Sequence, residues 1–365
     1  MSDILSSAKR IVFKIGSSTL LDGAGQIDGA NLHHLAALWA DLHKAGKEII
    51  IVSSGAVALG RPHLSKDHKG EAIPSKQAAA AVGQSKLMAL YDSFFGICGI
   101  SVAQVLLTRS DIADRHRYIN ARNTLNILLD EGIIPIINEN DTVAWEELKF
   151  GENDSLAALV GGLLDADLVF LLSDIYGLYT GDPRKDANAK HIPVVEEITP
   201  EICALAGGVG SSVGSGGMKS KVEAARIAVQ SGIPLAISQG KDMNNIAACL
   251  QDKGKCTVFL PSDHHLRHRD RWIAYASEPA GAIIVDDGAV TALHGKKSLL
   301  PVGILDVKGD FAENSVVTVE TADGRSVARG ITNYDARTIQ SIKGKHSKEA
   351  NAEEVIHCDN LVLED

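Results

Sequence analysis

The sequence predicts an α/β protein: an open, mostly parallel sheet sandwiched by helices, followed by a small β-rich domain. Three observations predict it. Short apolar runs alternate with amphipathic stretches from Ile11 to about Leu260, the pattern of βαβ units. The character of the chain then changes after Pro261. Finally, 365 residues exceed what one hydrophobic core usually serves. The expected organisation is a first domain over 1–260, a linker over 261–278 and a second domain over 279–365.

In order along the first domain, Ile11-Val12-Phe13, Ile49 to Val52, Val102 to Leu107, Ile133 to Ile137, Leu168 to Leu172 and Ile233 to Ile237 read as buried parallel strands, because such strands are apolar on both faces. Between them, Leu32, Leu35, Trp39 and Leu42 repeat at helical spacing, with Gly46 where a C-cap falls. Lys76 to Phe95 and Tyr118 to Leu129 read as further helices. From Ser262 to Trp272 the chain is rich in His and Arg, a solvated linker rather than an element with a buried face. Its histidines lack regular metal-ligand spacing. Beyond Gly281, the runs Ala282 to Val285, Val302 to Val307 and Ser315 to Val319 are punctuated by Asp-Gly and Gly-Asp, which predicts a small all-β module.

Composition narrows the functions available. No run of ~18 apolar residues is present and the N-terminus has no secretory pattern, so a cytoplasmic protein with no membrane partner is expected. The five cysteines are far apart and form no Cys-x-x-Cys pair, as reduced structural thiols do. The thirteen histidines include no His-Glu-x-x-His helix, so no metal site is predicted. A formal charge of −10 weighs against nucleic-acid binding. An anionic substrate must therefore meet a local positive site.

Such a site is legible. From Gly207 to Gly217 the chain is glycine- and serine-rich, and it then enters a helix with Lys219 and Lys221 in the first turn. Bare N–H groups, the helix dipole and ammonium charge can converge there on a phosphate. The spacing is not that of a Walker loop, and a surface loop with solvated lysines is the plain alternative. Other candidates lie at predicted strand ends, where an open α/β sheet binds its ligands. The first strand ends in Lys14-Ile15-Gly16-Ser17-Ser18, a lysine and a close-approach turn suited to a phosphoryl oxygen. The second ends in Ser53-Ser54-Gly55-Ala56, able to hold a carboxylate or simply to cap a helix. The fourth leads into Asn138-Glu139-Asn140-Asp141, and Gly151-Glu152-Asn153-Asp154-Ser155 follows. Two such clusters either grip an amino group or serve as turns and caps. The fifth ends in Ser173-Asp174, with Tyr176 to Pro183 beyond, a nucleotide-positioning set or a core aromatic beside a turn.

Taken in order, these stretches, with Gly177-Leu178-Tyr179-Thr180 and Gly214-Ser215-Gly216-Gly217-Met218, resemble the amino-acid kinase family. Within it they resemble the branch acting on the γ-carboxylate of L-glutamate in proline biosynthesis. The C-terminal module resembles a PUA domain. The resemblance implies ATP and Mg²⁺ as cofactors, L-glutamate as substrate, proline as feedback inhibitor and a homo-oligomer. It implies that Lys14 and Lys221 stabilise the migrating phosphoryl group and Asp154 organises them. Ser54, Asp141 and Asn153 would hold glutamate. Lys14, Ser173, Asp174, Ser215, Gly216, Gly217, Met218, Lys219, Ser220 and Lys221 would line the ATP site. Ser173 and Ser215 stand where the family usually has Thr; both keep the hydroxyl. A PUA-like tail also suggests RNA binding, but from Pro279 to Asp365 nine Lys+Arg face fourteen Asp+Glu, which lacks the usual electrostatic footprint.

Overall fold

The computed structural model describes residues 3–65, 72–143, 153–186, 188–206, 217–261, 279–346 and 353–364. The chain divides into two compact units, Met1–His265 and Leu266–Asp365. Residues 262–278 of the expected linker lie outside the described residues.

The first unit opens with β1 (Arg10–Ile15), α1 (Ser17–Leu20), α2 (Gly29–Lys44), β2 (Glu48–Ser53) and α3 (Ala56–Gly60). Then come α4 (Ile73–Ile97), β3 (Val102–Leu107), α5 (Arg109–Ala113), α6 (Arg115–Asp130) and β4 (Ile134–Glu139). The chain continues through α7 (Asn153–Leu164), β5 (Leu168–Ser173) and the short strands β6 (Leu178–Tyr179), β7 (His191–Ile192) and β8 (Val194–Val195). It closes with α8 (Pro200–Ala206), α9 (Met218–Gln230), β9 (Leu235–Gln239), α10 (Met243–Cys249) and β10 (Thr257–Phe259). The main sheet runs β3-β4-β2-β1-β5-β9-β10-β8. β1 lies in the middle, parallel to β2 on one side and to β5 on the other. The strand order reverses between β1 and β5, so a crevice forms beyond their C-terminal ends.

The apolar runs read as strands are strands, and most are buried for the expected reason. β1, β2 and β5 are covered on both faces. β3 is not: it is the sheet edge and only half-buried. β10 also departs from the all-parallel expectation, pairing antiparallel with β9. The predicted stripe on α2 buries Leu32, Leu35 and Trp39, with Trp39 5.7 Å from Phe13 of β1, ring centre to ring centre. Truncating Phe13 to Ala would cost about 3–5 kcal/mol in such a core. Asp28 caps α2 by accepting from Asn31 N–H at 3.0 Å, and Gly46 follows its end with φ +85°, a conformation open to glycine.

Two small residues set how closely α3 approaches α4. A Cβ on Gly60 would stand 1.8 Å from the Ala79 carbonyl oxygen, and one on Gly83 would stand 1.7 Å from that of Ala56. The helices therefore touch backbone to backbone, which fixes α4 against the turn that leaves β2.

The second unit is β11 (Ala282–Val285), α11 (Asp287–His294), β12 (Ile304–Lys308), β13 (Val316–Thr321), β14 (Ser326–Ile331), α12 (Ala336–Ile342) and β15 (Leu361–Leu363). Its sheet order is β12-β11-β13-β14-β15. The module is β-rich rather than all-β, because Leu293 of α11 and Ile339 of α12 complete a core with Ile283, Val317 and Val319. Among the described residues, no helix is long and apolar enough to cross a membrane.

Candidate active site

Three charged side chains meet beyond the C-terminal end of β1. Lys14 Nζ lies 2.6 Å from Asp154 Oδ1, and Lys221 Nζ lies 3.2 Å from Asp154 Oδ2. Asp154 is fully buried and each lysine is 6% exposed. Lys14 comes from β1, Asp154 from the first turn of α7 and Lys221 from the first turn of α9. Gly16 leaves the ammonium room, since a Cβ there would lie 3.3 Å from Lys14 Nζ.

Burial by itself would raise the Asp154 pKa. The ammonium groups of Lys14 and Lys221 outweigh it and hold the carboxyl below its ordinary range. Ser220 Oγ, 3.0 Å from Asp154 Oδ2 and 2.9 Å from the Gly217 carbonyl, adds a donor to the carboxylate's surroundings. Two lysines share the one Asp154 carboxylate, which concentrates positive charge at a buried point. That is costly unless an anion is bound there.

The residue before Asp154 serves a second group of side chains. Asn153 Nδ2 lies 2.6 Å from the Ser53 carbonyl, 3.0 Å from Ser54 Oγ and 2.9 Å from Asn138 Oδ1. The turn between them needs Gly55, whose φ is +98°. Ser54 Oγ accepts from Asn153, so its own proton can be donated to a ligand carboxylate. Behind the turn, Ser53 Oγ and Tyr91 OH share a buried hydrogen bond of 2.8 Å. Burial pushes the Tyr91 hydroxyl pKa far up, against that bond, so it stays protonated. Asp141 lies in the turn just beyond β4.

On the other side of Lys221 a cleft of about 610 Å³, counted out to open solvent, runs along the end of β5. Ser173, Asp174, Leu178, Tyr179, Leu205, Gly217, Met218 and Lys221 are among its lining residues. Ser173 Oγ donates to Asp174 Oδ1 at 3.1 Å. Arg184 bridges the outer rim, 3.0 Å from both Asp174 Oδ2 and Asp182 Oδ1. The cleft wall depends on Thr257, whose Oγ1 accepts from Leu178 N–H at 2.7 Å and donates to the Ile192 carbonyl at 2.5 Å. Gly177, at φ +145°, allows that approach, since a Cβ would stand 2.2 Å from Thr257 Oγ1.

The structure thus brings together Lys14, Asp154, Ser220 and Lys221, joins Ser54 to Asn153, and puts Ser173, Asp174, Gly217 and Met218 around one cleft. Lys219 is exposed and outside both the cleft lining and the charged trio. Ser215 and Gly216 lie outside the described residues. Sequence reasoning missed Gln84, Tyr91, Arg184 and Thr257. Only Arg184, next to the Gly181-Asp182-Pro183 turn, carried a readable signal.

A buried cationic pair organised by a carboxylate, set at the switch point of an open α/β sheet beside a cleft lined by both polar and apolar side chains, is a phosphoryl-transfer arrangement. The amino acid kinase family model matches residues 9–238 and the PUA domain model matches 281–353. The chain belongs to the amino acid kinase family.

Its relatives narrow the branch. Over 367 residues it is 46% identical to the glutamate 5-kinase of Moorella thermoacetica, covering 98% of this chain and 97% of that one. It is 48% identical over 374 residues to that of Carboxydothermus hydrogenoformans, covering all of both chains, and 47% identical over 370 residues to that of Geobacter sulfurreducens, covering 99% of each. Among solved structures, a UMP kinase from Ureaplasma parvum superposes with a TM-score of 0.51 at 14% identity, covering 69% of this chain and 99% of that one, a likeness of fold.

Proposed function

We infer that the chain phosphorylates the γ-carboxylate of L-glutamate with ATP, giving L-glutamate 5-phosphate and ADP, the first step of proline biosynthesis. One observation carries the reading. Consecutive residues at the start of α7 face two different jobs: Asp154 holds the lysine pair, and Asn153 joins the Ser53-Ser54 turn. The acceptor and the migrating group therefore meet at one point.

Leu178, Tyr179, Leu205 and Met218 would hold the nucleotide base, and Ser173, Asp174 and Lys221 its ribose and phosphates. A glutamate side-chain carboxylate, which ordinarily titrates near a pH of about 4.3, is already ionised at neutral pH, so no general base is needed. One of its oxygens forms a bond to the γ-phosphorus as the bond from that phosphorus to the β-phosphate bridging oxygen breaks. The difficulty is bringing two anions together. Lys14 and Lys221 offset the repulsion, and alignment by Ser54, Asn153 and Asp141 supplies much of the remaining rate. Among the described residues, no group of three or more His, Cys, Asp or Glu could hold a metal ion. Mg²⁺ is commonly held by substrate phosphates and water, so it would be delivered with the nucleotide. It would neutralise charge on the phosphate oxygens.

Proline, a cyclised analogue of glutamate, is proposed as feedback inhibitor, the assembly as a homo-oligomer and the site of action as the cytoplasm. Inhibition curves against glutamate, and light scattering, test the first two. The central test is ADP release from Mg·ATP with L-glutamate, N-acetylglutamate and aspartate in parallel, with hydroxylamine trapping the acyl phosphate. Glutamate-dependent ADP with matching hydroxamate is expected. Turnover on a rival alone would move the substrate assignment.

A further inference from the structure

A chain of amide side chains runs from α4 into the acceptor half of the site, and its polarity is set at both ends by backbone groups. At one end the Glu139 N–H, which can only donate, lies 2.9 Å from Asn138 Oδ1. At the other, the Ser53 carbonyl, which can only accept, lies 2.6 Å from Asn153 Nδ2. Between these anchors Asn138 Oδ1 accepts from Asn153 Nδ2 at 2.9 Å. Asn138 Nδ2 must then donate outward, and it does so to Gln84 Oε1 at 2.9 Å. Gln84 Nε2 continues to Gln104 Oε1 at 3.3 Å. Asn138 is 3% and Gln84 9% exposed, so water is a poor substitute partner for either. Gln84 follows Gly83, where α4 meets α3 backbone to backbone, which pins its position relative to the Ser53-Ser54 turn.

This polarity has a consequence for a ligand. Asn153 has two amide hydrogens, and protein acceptors surround them: the Ser53 carbonyl, Asn138 Oδ1 and Ser54 Oγ. What Asn153 offers a ligand is its carbonyl oxygen, an acceptor. An acceptor suits a charged ammonium group with three N–H donors better than an acylated nitrogen with one neutral N–H, and a methylene offers it no donor. The neighbouring Ser54 hydroxyl, already accepting from Asn153, offers a donor. An acceptor and a donor side by side match the ammonium and carboxylate of an amino acid.

We propose that Gln84, acting through Asn138, is a positioning residue that locks the Asn153 amide with its carbonyl oxygen toward the ligand, making the acceptor site selective for a free α-ammonium group. The inference rests on the glutamate-kinase reading, with Asn153 against the substrate. Removing the Gln84 acceptor leaves the buried Asn138 Nδ2 without its partner, which loosens the relay without touching Lys14, Lys221 or the nucleotide cleft.

The test compares wild type, Gln84→Met and Gln84→Glu, using glutamate and glutarate, the same diacid without its amino group. Gln84→Glu keeps an oxygen for Asn138 to donate to. Wild type must first turn over glutamate; if it does not, the functional reading fails and the relay is not what failed. Given that activity, Gln84→Met is expected to raise the glutamate KM about tenfold, with kcat and the ATP KM within about twofold. The glutamate-to-glutarate preference in kcat/KM should fall about tenfold, and Gln84→Glu should restore both. If Gln84→Met does not fold, Gln84→Ala, which a helix interior accepts, takes its place. An unchanged glutamate-to-glutarate preference, or a Gln84→Glu variant as impaired as Gln84→Met, would overturn the proposal.

Discussion

Asp154→Asn tests the centre of the site most sharply, because it removes one charge and almost no volume. In the native protein the carboxylate is fully buried and balances Lys14 at 2.6 Å and Lys221 at 3.2 Å. The variant takes from two nearly buried ammonium groups the carboxylate they share. Removing one partner of a buried pair costs about 3–5 kcal/mol, which a domain of ordinary stability, about 5–15 kcal/mol, survives. Catalysis should suffer more. Losing one aimed donor at a developing charge costs on the order of 10²–10³ in kcat, and here both lysines lose their anchor, so kcat should fall on the order of 10³-fold. The glutamate KM should move by no more than about threefold, since Ser54 and Asn153 are untouched. Urea unfolding and hydroxamate-trapped turnover measure the two effects. The pH dependence adds a second reading. Because the folded pKa of Asp154 is lowered, its stabilisation is complete above the unfolded carboxylate value of about 4 and disappears only as pH falls through the lower folded value. The stability gap between wild type and variant should therefore stay constant from about pH 5 to 8 and close only in stronger acid. A kcat within about threefold of wild type, or a gap that closes near neutrality, would refute the role given to Asp154.

Other substitutions separate the parts of the site. Lys221→Ala should lower kcat on the order of 10²-fold or more while changing the glutamate KM little; unchanged turnover in the trapping assay would sink the phosphoryl-transfer role. Gly83→Ala should destabilise by about 3 kcal/mol or more, since its Cβ would overlap the Ala56 carbonyl at 1.7 Å and a packed pair of helices yields little; a melting temperature equal to wild type would show that α3 and α4 can separate freely. Thr257→Val removes the acceptor for Leu178 N–H and the donor to Ile192, so it should raise the ATP KM severalfold and leave the glutamate KM alone, as steady-state kinetics in both substrates would show.

The order of residues made the local features legible. Apolar runs bounded by turn residues located β1, β2, β3, β4, β5 and β9 to within a few positions, because a strand covered on both faces has little choice but to be apolar. Lys14, Asn153, Asp154 and Lys221 stood out because charged and amide groups at the mouths of such strands are expensive without a partner or ligand. The family, too, was readable from short motifs taken in order.

The pairings between distant residues were not legible. That β4 lies between β3 and β2, and that β10 runs antiparallel to β9, depends on how the helices between strands pack, and no local pattern records it. Gln84 sits in α4 among residues that read as an ordinary amphipathic helix, and only when α4 closes on α3 does it meet Asn138. Thr257, at the start of a short strand, becomes part of the cleft only because Gly177 lets its turn come within reach. A side chain's own chemistry travels with the sequence. What that chemistry is used for depends on which partner the packed chain brings within about 3 Å of it, and that distance exists only in the folded molecule.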